Sequence, residues 1–361
     1  MTLPAPDPVQ IKALVQAGLL APSGDNCQPW RFVWDGARLE IHWLAERAES
    51  FYDVDRTASW IALGALLTNM RIAAGQEALQ LHVELFPTPH HTCVARLAIH
   101  PSDTRVDHPL FAAIPARCVN RRPYTAQLLT ATVRDTFFDI ACMTRHAALE
   151  LITEPDRKAQ LAALAAHNDR WLFEHRALHD GLYRWLRWTI EDALRTGDGM
   201  PIHSLELSWL ERPGFRWLTS WRLSSFFATL GVTRLLPLRS QWVYRRSAAI
   251  GLLSVDGDRP EDFVRAGEIL EELWLTATKH GVAFQPITGI TFLVLRRRLT
   301  RDAGLSPQQQ TLLNGIDERL AQLLPVTRHK TPAMLFRVGY ARQPSARAPR
   351  LPVDDVLTMR N

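Results

Sequence analysis

The chain has 361 residues and a mass of 41.0 kDa, a length that fits two modest domains better than one. Its hydrophobic share of 47% and charged share of 22% are those of a soluble globular protein. The net charge is +5, and arginine supplies most of the cations. Because guanidinium groups bind planar anions through paired hydrogen bonds, phosphate or carboxylate ligands are expected, whereas charge alone is weak support for nucleic acid.

Cysteine spacing and hydropathy exclude several other classes. No C-x-x-C pair occurs, so a disulfide framework is not expected and a reducing cytoplasm is the predicted location; the cysteines are Cys27, Cys93, Cys118 and Cys142. The first residues lack a basic stretch followed by an apolar run, so no signal peptide is expected. The uncharged stretch at residues 57–70 is too short to cross a bilayer, so no stable membrane insertion is expected.

The first predicted elements surround a polar loop. Residues 7–20 carry apolar side chains at helical spacing. The loop APSGDNCQPWRF, residues 21–32, follows and contains the large ring of Trp30. Residues 31–44 then predict a hairpin with an Asp-Gly turn. A tight polar loop beside a strand suits the binding of a planar heteroaromatic ring through backbone and amide hydrogen bonds.

The rest of the chain alternates helices and strands. In order, the pattern predicts a long apolar helix (56–75), two strands (81–86 and 93–100), a basic loop (106–124), helices over most of 128–196, an irregular aromatic stretch, a strand (248–255), a helix (260–280), two strands (291–297 and 334–340) and an extended proline-rich arm.

An internal repeat links two of these helices. Gly64–Ala74 aligns with Gly267–Ala277 at a constant offset of 203 residues, with glycine, leucine and alanine at matching positions. Each copy lies in an apolar helix that precedes a strand. Two unrelated buried helices can share such residues at helical spacing, but the alignment favours gene duplication.

Four patches resemble the nitroreductase family. Residues 21–30 match the A-P-S-x-x-N-x-Q-P-W loop that borders the isoalloxazine ring of FMN in that family. Residues 116–124, ARCVNRRPY, look like its phosphate-binding arginine segment, in the form typical of the duplicated Acg-like branch. Residues 265–289 resemble its core helix and following strand, and residues 337–357 resemble its last strand and tail. The order of the four patches along one chain is the specific signal.

The resemblance implies an α+β, nitroreductase-like fold as a tandem-duplicated pseudo-dimer, with mixed antiparallel sheets flanked by helices. The halves would be residues 1–110 and 111–361, with a lid-like insertion at about 197–246 and an arm at 341–361. Homodimers of this family bind FMN between their two subunits. One subunit contributes the loop, and the other contributes the arginine segment. Here the first half has the loop and the second has the arginine segment. A monomer with one FMN site, built by both halves, is therefore expected.

Site residues follow from the resemblance. Arg117 and Arg350 would hold the phosphate, and Arg121 would face the pyrimidine edge of the ring near N1 and O2. The ring would be lined from the first half by Pro22, Ser23, Gly24 and Asn26. Asn120 belongs to the arginine segment. Backbone contacts near N5 would come from Pro286, Ile287, Thr288 and Gly289. No catalytic side chain and no metal ligand is assigned.

Two departures from the family pattern concern the arginine segment. Val119 stands where the family has serine or threonine, and Cys118 replaces an arginine. Both changes remove a hydrogen-bond donor, so FMN affinity is expected to be reduced unless Arg122 compensates.

The implied function is an FMN-dependent oxidoreductase that passes electrons from NAD(P)H to a small aromatic or conjugated acceptor. A non-catalytic FMN-sequestering protein of the Acg type and a specialised biosynthetic dehydrogenase or oxidase are the alternatives. For the aromatic, arginine-rich insertion, a lid over the flavin is favoured; a helical hairpin on the surface and a basic amphipathic element for membrane surfaces are the other interpretations. His175 and His179 have the spacing of a zinc pair, but a solvated helix face is the simpler interpretation.

Overall fold

The computed structural model describes residues 6–88, 92–143, 146–300 and 304–360. The helices are α1 (Pro8–Leu19), α2 (Ala45–Ala48), α3 (Thr57–Gln76), α4 (Ala131–Cys142), α5 (Pro155–Glu174), α6 (Arg176–Arg184), α7 (Ile190–Thr196), α8 (Glu211–Trp217), α9 (Trp221–Thr229), α10 (Leu236–Arg245), α11 (Pro260–Lys279), α12 (Thr288–Leu299), α13 (Pro307–Leu323) and α14 (Val353–Val356). The strands are β1 (Trp30–Trp34), β2 (Arg38–Trp43), β3 (Leu79–Leu85), β4 (Cys93–Pro101), β5 (Ala147–Ile152), β6 (Leu186–Arg187), β7 (Met200–Pro201), β8 (Ala249–Val255), β9 (Ala283–Pro286), β10 (Thr331–Gly339) and β11 (Leu357–Met359).

Two sheets divide the strands between them. The first has the order β11-β1-β2-β4-β3, and the second has the order β5-β8-β10-β9, while β6 and β7 form a short parallel pair. Neighbours in the two larger sheets are antiparallel, except that β11 runs parallel to β1 with Leu357 opposite Phe32. Helices flank both sheets, so the α+β prediction is confirmed.

The C-terminal arm returns to the first half. Residues 341–352 are extended, and α14 and β11 then place the chain beside β1, where the Arg360 amide donates to the Trp34 carbonyl oxygen at 2.8 Å. The second half therefore completes the sheet of the first. The proposed boundary near residue 110 stays a prediction.

Helices α3 and α11 cross at the centre of the molecule through two glycines. A β-carbon on Gly64 would lie well within 3.0 Å of the Val264 carbonyl oxygen, and one on Gly267 would lie equally close to that of Ile61. The offset of 203 that pairs Gly64 with Gly267 also pairs Ile61 with Val264. Both helices have 20 residues. Reciprocal contacts between equivalent residues define a twofold interface, so the crossing has the symmetry of a pseudo-dimer.

A single apolar core joins the two sheets through this crossing. One cluster of buried side chains includes Phe32 of β1, Leu67 of α3, Leu273 of α11 and Phe336 of β10. A smaller cluster lies between the second sheet and helices α5, α12 and α13. Because burial of apolar surface dominates folding, the shared core fixes the two halves against each other.

Residues 291–297, predicted as a strand, are helical and belong to α12. Their β-branched and aromatic side chains favour a strand when the sequence is considered alone. All residues from Gly289 to Leu295 are buried, so tertiary packing decides the conformation. The Thr291 hydroxyl donates to the Ile287 carbonyl oxygen at 2.9 Å and accepts from the Leu335 amide at 3.3 Å, which ties the helix to β10.

Candidate functional site

The polar loop after α1 has a strained backbone. Asp25, Asn26 and Gln28 have φ angles of 49°, 59° and 48°, a region that costs side-chain-bearing residues about 1–3 kcal/mol each. The buried Gln28 side chain holds this shape. Its Nε2 donates to the Gly197 carbonyl oxygen at 2.9 Å, and its Oε1 accepts from the Leu351 amide at 2.9 Å. The loop is thus fixed by two segments that follow it far along the chain.

Asn26 connects the loop to the same two later segments. Its Nδ2 donates to the carbonyl oxygens of Gly199 and Pro349 at 3.0 and 2.9 Å, and its Oδ1 accepts from Arg350 at 2.8 Å. The amide group is therefore fully engaged within the protein. Asn26 positions the arm against the loop.

One cavity of about 470 Å³ lies between the halves. Its wall includes nine of the twelve residues predicted for the site: Pro22, Ser23, Gly24, Asn26, Arg117, Arg121, Pro286, Thr288 and Arg350. The loop of the first half, the arginine segment and β9–α12 of the second half, and the arm thus meet around one space.

The other three predicted residues lie outside that wall. Asn120 is buried and donates from Nδ2 to the Arg342 carbonyl oxygen at 2.8 Å, which fastens the arm to the arginine segment. Ile287 is part of the smaller apolar cluster. Gly289 contributes to a second cavity, and a β-carbon there would collide with the Asn168 side chain.

Arginine side chains outnumber carboxylates beside the first cavity. Arg117 Nε lies 3.1 Å from Oε1 of Glu271, both fully buried, and its guanidinium lies 4.5 Å from the ring centroid of Trp274. Arg350 and Arg347 also line the cavity. Burial, with a smaller contribution from the Arg117 guanidinium, lowers the pKa of Arg350 to about 9. The cavity wall has five arginines, with Arg47 and Arg121 as the other two, and three carboxylates, and this excess of positive charge favours the binding of an anion.

Glu271 was not predicted from the sequence. It lies on α11, the helix of the second repeat, and is completely buried. A buried acidic residue within an otherwise apolar helix face is the signal that points to it, since such a charge needs a partner. Burial raises the pKa of Glu271, and the Arg117 guanidinium opposes that rise.

The departures in the arginine segment lie at the cavity. Cys118 and Val119 both belong to its wall. The cavity therefore lacks the guanidinium and the hydroxyl that the family pattern has at these two positions. Arg122 does not replace them. It donates to the Ser345 hydroxyl at 2.8 Å and lies 3.5 Å from Glu206, away from the cavity wall.

A second cavity of about 580 Å³ adjoins the first. Residues that line both include Asp25, Tyr52, Arg121, Trp185, Met200 and Thr288. The remaining wall is mainly apolar and comes from α5, α6, α8 and α10, with Leu172, Leu178, Phe215, Leu218, Leu236 and Val243 among its members. Residues of the predicted insertion at about 197–246 therefore cover a space that continues from the first cavity.

Asp25 and Arg121 lie where the two cavities meet. Burial raises the pKa of Asp25 to about 6, and the positive charge of Arg121 limits that rise. Burial also lowers the pKa of Arg121, which donates to the Ser204 carbonyl oxygen at 3.2 Å. Within the described ranges no hydrogen bond reaches the Asp25 carboxyl. This carboxyl can exchange its proton near neutral pH.

The histidine pair does not form a metal site. His175 lies between α5 and α6, where its Nε2 contacts the Gly304 carbonyl oxygen at 2.8 Å. His179 is buried, with Nε2 at 2.8 Å from the Leu218 carbonyl oxygen. The two side chains thus have separate partners. Glu40, His42 and Cys93 bring possible ligand atoms together elsewhere, but Glu40 already pairs with Arg96 at 3.2 Å.

Comparison with known proteins gives relatives along the whole chain. No family model matches the sequence. "Putative NAD(P)H nitroreductase acg" of Mycobacterium tuberculosis is 27% identical over 365 residues, which cover 97% of this chain and 96% of that protein. "Uncharacterized protein MT1398" of the same species is 29% identical over 357 residues, which cover 95% of this chain. That protein is longer, and this chain spans only about half of it, 47%.

Similarity to solved structures is weaker. The FMN-dependent nitroreductase NfnB from Mycobacterium smegmatis, in complex with NADPH, gives a TM-score of 0.38 at 15% identity, over 68% of this chain and 96% of that one. The full-length match to acg, together with the four sequence patches, confirms that this chain resembles the nitroreductase family.

Proposed function

We propose that this protein is an FMN-dependent oxidoreductase that takes electrons from NAD(P)H and passes them to a small aromatic or conjugated acceptor. The observation that carries the proposal is the first cavity. The strained loop of the first half, the arginine segment of the second half and Arg350 of the arm line one space. The name of the acg relative supports the same class of reaction.

The residues around the cavity fit FMN. Its volume of about 470 Å³ is within the usual range for a small-molecule site. The phosphate would neutralise the excess positive charge of Arg117, Arg347 and Arg350 beside Glu271. The Nε atom of Arg350 is buried with no hydrogen-bond partner among the described residues, so a donor is available for that anion.

Each group of residues would have a defined task. Arg117 and Arg350 would bind the phosphate, and the loop from Pro22 to Asn26 would contact the ring together with Pro286 and Thr288. Arg121 would place its positive charge at the pyrimidine edge of the ring. Bound FMN would supply the two-electron transfer between the nicotinamide and the acceptor. The protein positions the cofactor and adjusts its potential through charge.

The second cavity favours catalysis over sequestration. A protein that only stores FMN needs no space beside the ring, yet here about 580 Å³ adjoins the proposed cofactor site. An acceptor in that space would meet Asp25, whose pKa of about 6 lets it donate a proton near neutral pH. Helices α8 and α10 would act as a lid that excludes water from this space.

Rapid anaerobic mixing tests the proposal. The FMN-loaded protein is mixed with NADH or NADPH while the flavin absorbance band is followed, and a nitroaromatic or a quinone is then added. We expect the band to bleach within seconds and the acceptor to restore it. Bleaching by light but not by either nicotinamide would favour sequestration. Restoration by oxygen alone, with no response to the acceptors, would favour an oxidase.

A further inference from the structure

Helix α9 turns apolar side chains towards solvent. Leu223 and Phe226, and Leu230 just after the helix, are exposed and follow its 3.6-residue period. On the opposite side Ser224 is fully buried and donates to the Phe173 carbonyl oxygen at 2.8 Å. A helix on a water-facing surface normally has the reverse arrangement, with polar groups outside.

Helix α10 and its neighbours repeat the pattern. Leu238 and Trp242 are exposed, while Val243 is buried against the interior. The guanidinium of Arg246 lies 4.3 Å from the ring centroid of Trp242. Trp217, at the end of α8, is 68% exposed. Large apolar side chains on three consecutive helices thus face outward together, which single exposed residues of an ordinary surface do not do.

The same segment carries the positive charge of the protein. Residues 211–246 contain seven arginines and one glutamate, a net charge of +6, whereas the whole chain carries +5. The remainder of the chain is therefore slightly negative. Arg216, Arg222, Arg234 and Arg245 are exposed among the apolar side chains.

Charge decides which partner this surface suits. A second copy of the chain would bring two segments of +6 face to face in a symmetric contact, and like charges so placed oppose association. An anionic lipid surface complements both features. Tryptophan, phenylalanine and leucine side chains are favoured at the boundary between headgroups and acyl chains, and arginines are attracted to lipid phosphates.

We propose that residues 209–246 dock this protein on the surface of a membrane that contains anionic lipid, without crossing it. The described helices agree with peripheral binding, since none of them has the length and apolar character of a membrane span. Leu210, Val232 and Leu235 are exposed and also line the second cavity, so docking would place the rim of that cavity at the lipid. If the proposed oxidoreductase function holds, its acceptor would then be an apolar molecule that enters from the bilayer.

Co-sedimentation with vesicles tests the docking. The full chain is mixed with phosphatidylcholine vesicles that contain or lack phosphatidylglycerol, at low and high salt. We expect binding to the anionic vesicles, weakening as salt rises, and much weaker binding to the neutral ones. Phe226→Ser with Leu230→Ser, and separately Arg222→Glu with Arg234→Glu, are each expected to weaken binding roughly tenfold or more.

Matched substitutions outside the segment serve as controls. Leu128→Ser with Met143→Ser removes two exposed apolar side chains, and Arg31→Glu with Arg328→Glu reverses two exposed charges. Both control pairs should bind vesicles like the unaltered protein. None of the eight substitutions touches the cavities, so FMN affinity should stay unchanged in all of them, which separates a failure of docking from a failure of the cofactor proposal.

Several outcomes would overturn the proposal. One is the absence of binding to anionic vesicles at low salt. Another is an equal loss of vesicle binding in the control variants and in the segment variants. A concentration-dependent dimer that the segment variants abolish would assign the surface to a second copy instead. Retention on polyglutamate without binding to vesicles would assign it to an acidic protein.

Discussion

Alanine at either crossing glycine is expected to destabilise the protein strongly, and by similar amounts. The new methyl group of Gly64→Ala would overlap the Val264 carbonyl oxygen, and that of Gly267→Ala would overlap the Ile61 carbonyl oxygen. Backbone atoms cannot move aside as a flexible side chain can, so α3 and α11 would have to separate and loosen the core between the halves. We expect each variant to lose about 3 kcal/mol of unfolding free energy, measured by urea denaturation.

A third glycine provides the control for this experiment. Gly315 lies in α13 with open space where a β-carbon would be. Gly315→Ala should raise the free energy of unfolding by about 0.5–1 kcal/mol, because alanine favours helix. If Gly64→Ala and Gly267→Ala behave like this control, α3 and α11 do not cross as closely as described. The double variant should lose less than the sum of the two, because both methyl groups force apart the same pair of helices.

Removal of the Arg350 side chain is expected to weaken FMN binding by about 10–100-fold, the usual value of a charge-assisted contact to phosphate. Arg350 also donates to Asn26 Oδ1 and to the Leu20 carbonyl oxygen, at 2.8 and 3.3 Å, so its loss would also loosen the arm. Fluorescence titration of Arg350→Ala with FMN and with riboflavin, which lacks the phosphate, separates the two effects. FMN affinity should fall much more than riboflavin affinity.

Arg342 of the same arm is the matched control. Its side chain is exposed, while its carbonyl oxygen accepts the bond from Asn120 and is kept in Arg342→Ala. This variant should bind FMN like the unaltered protein. An equal loss of both ligands in Arg350→Ala would indicate that Arg350 only supports the loop, and unchanged FMN affinity would remove it from the site.

Local sequence patterns predicted the parts of the candidate site that short segments encode. The loop around Asn26 and the arginine segment around Arg117 are each recognisable within about ten residues, and the structure brings them to one cavity. The repeat was also visible, because the offset between Gly64 and Gly267 is constant along a helix. The structure brings the two repeats into contact at these glycines.

Features that depend on distant contacts could not be predicted in this way. Asn26 was expected to line a ring, but its amide is engaged by Gly199, Pro349 and Arg350, which lie more than 170 residues away in the sequence. Residues 291–297 are helical because they are buried, whereas their β-branched side chains indicate a strand when the sequence is considered alone. The second cavity arises only when α5, α6, α8 and α10 come together.

FMN content per chain measures most directly whether the two halves build a single site. The protein is saturated with FMN, freed of excess, and its flavin absorbance after denaturation is compared with protein concentration, while light scattering gives its mass in solution. We predict one FMN for each chain in a monomer. Two FMN molecules per chain, or one shared between two chains, would contradict a single site formed within one polypeptide.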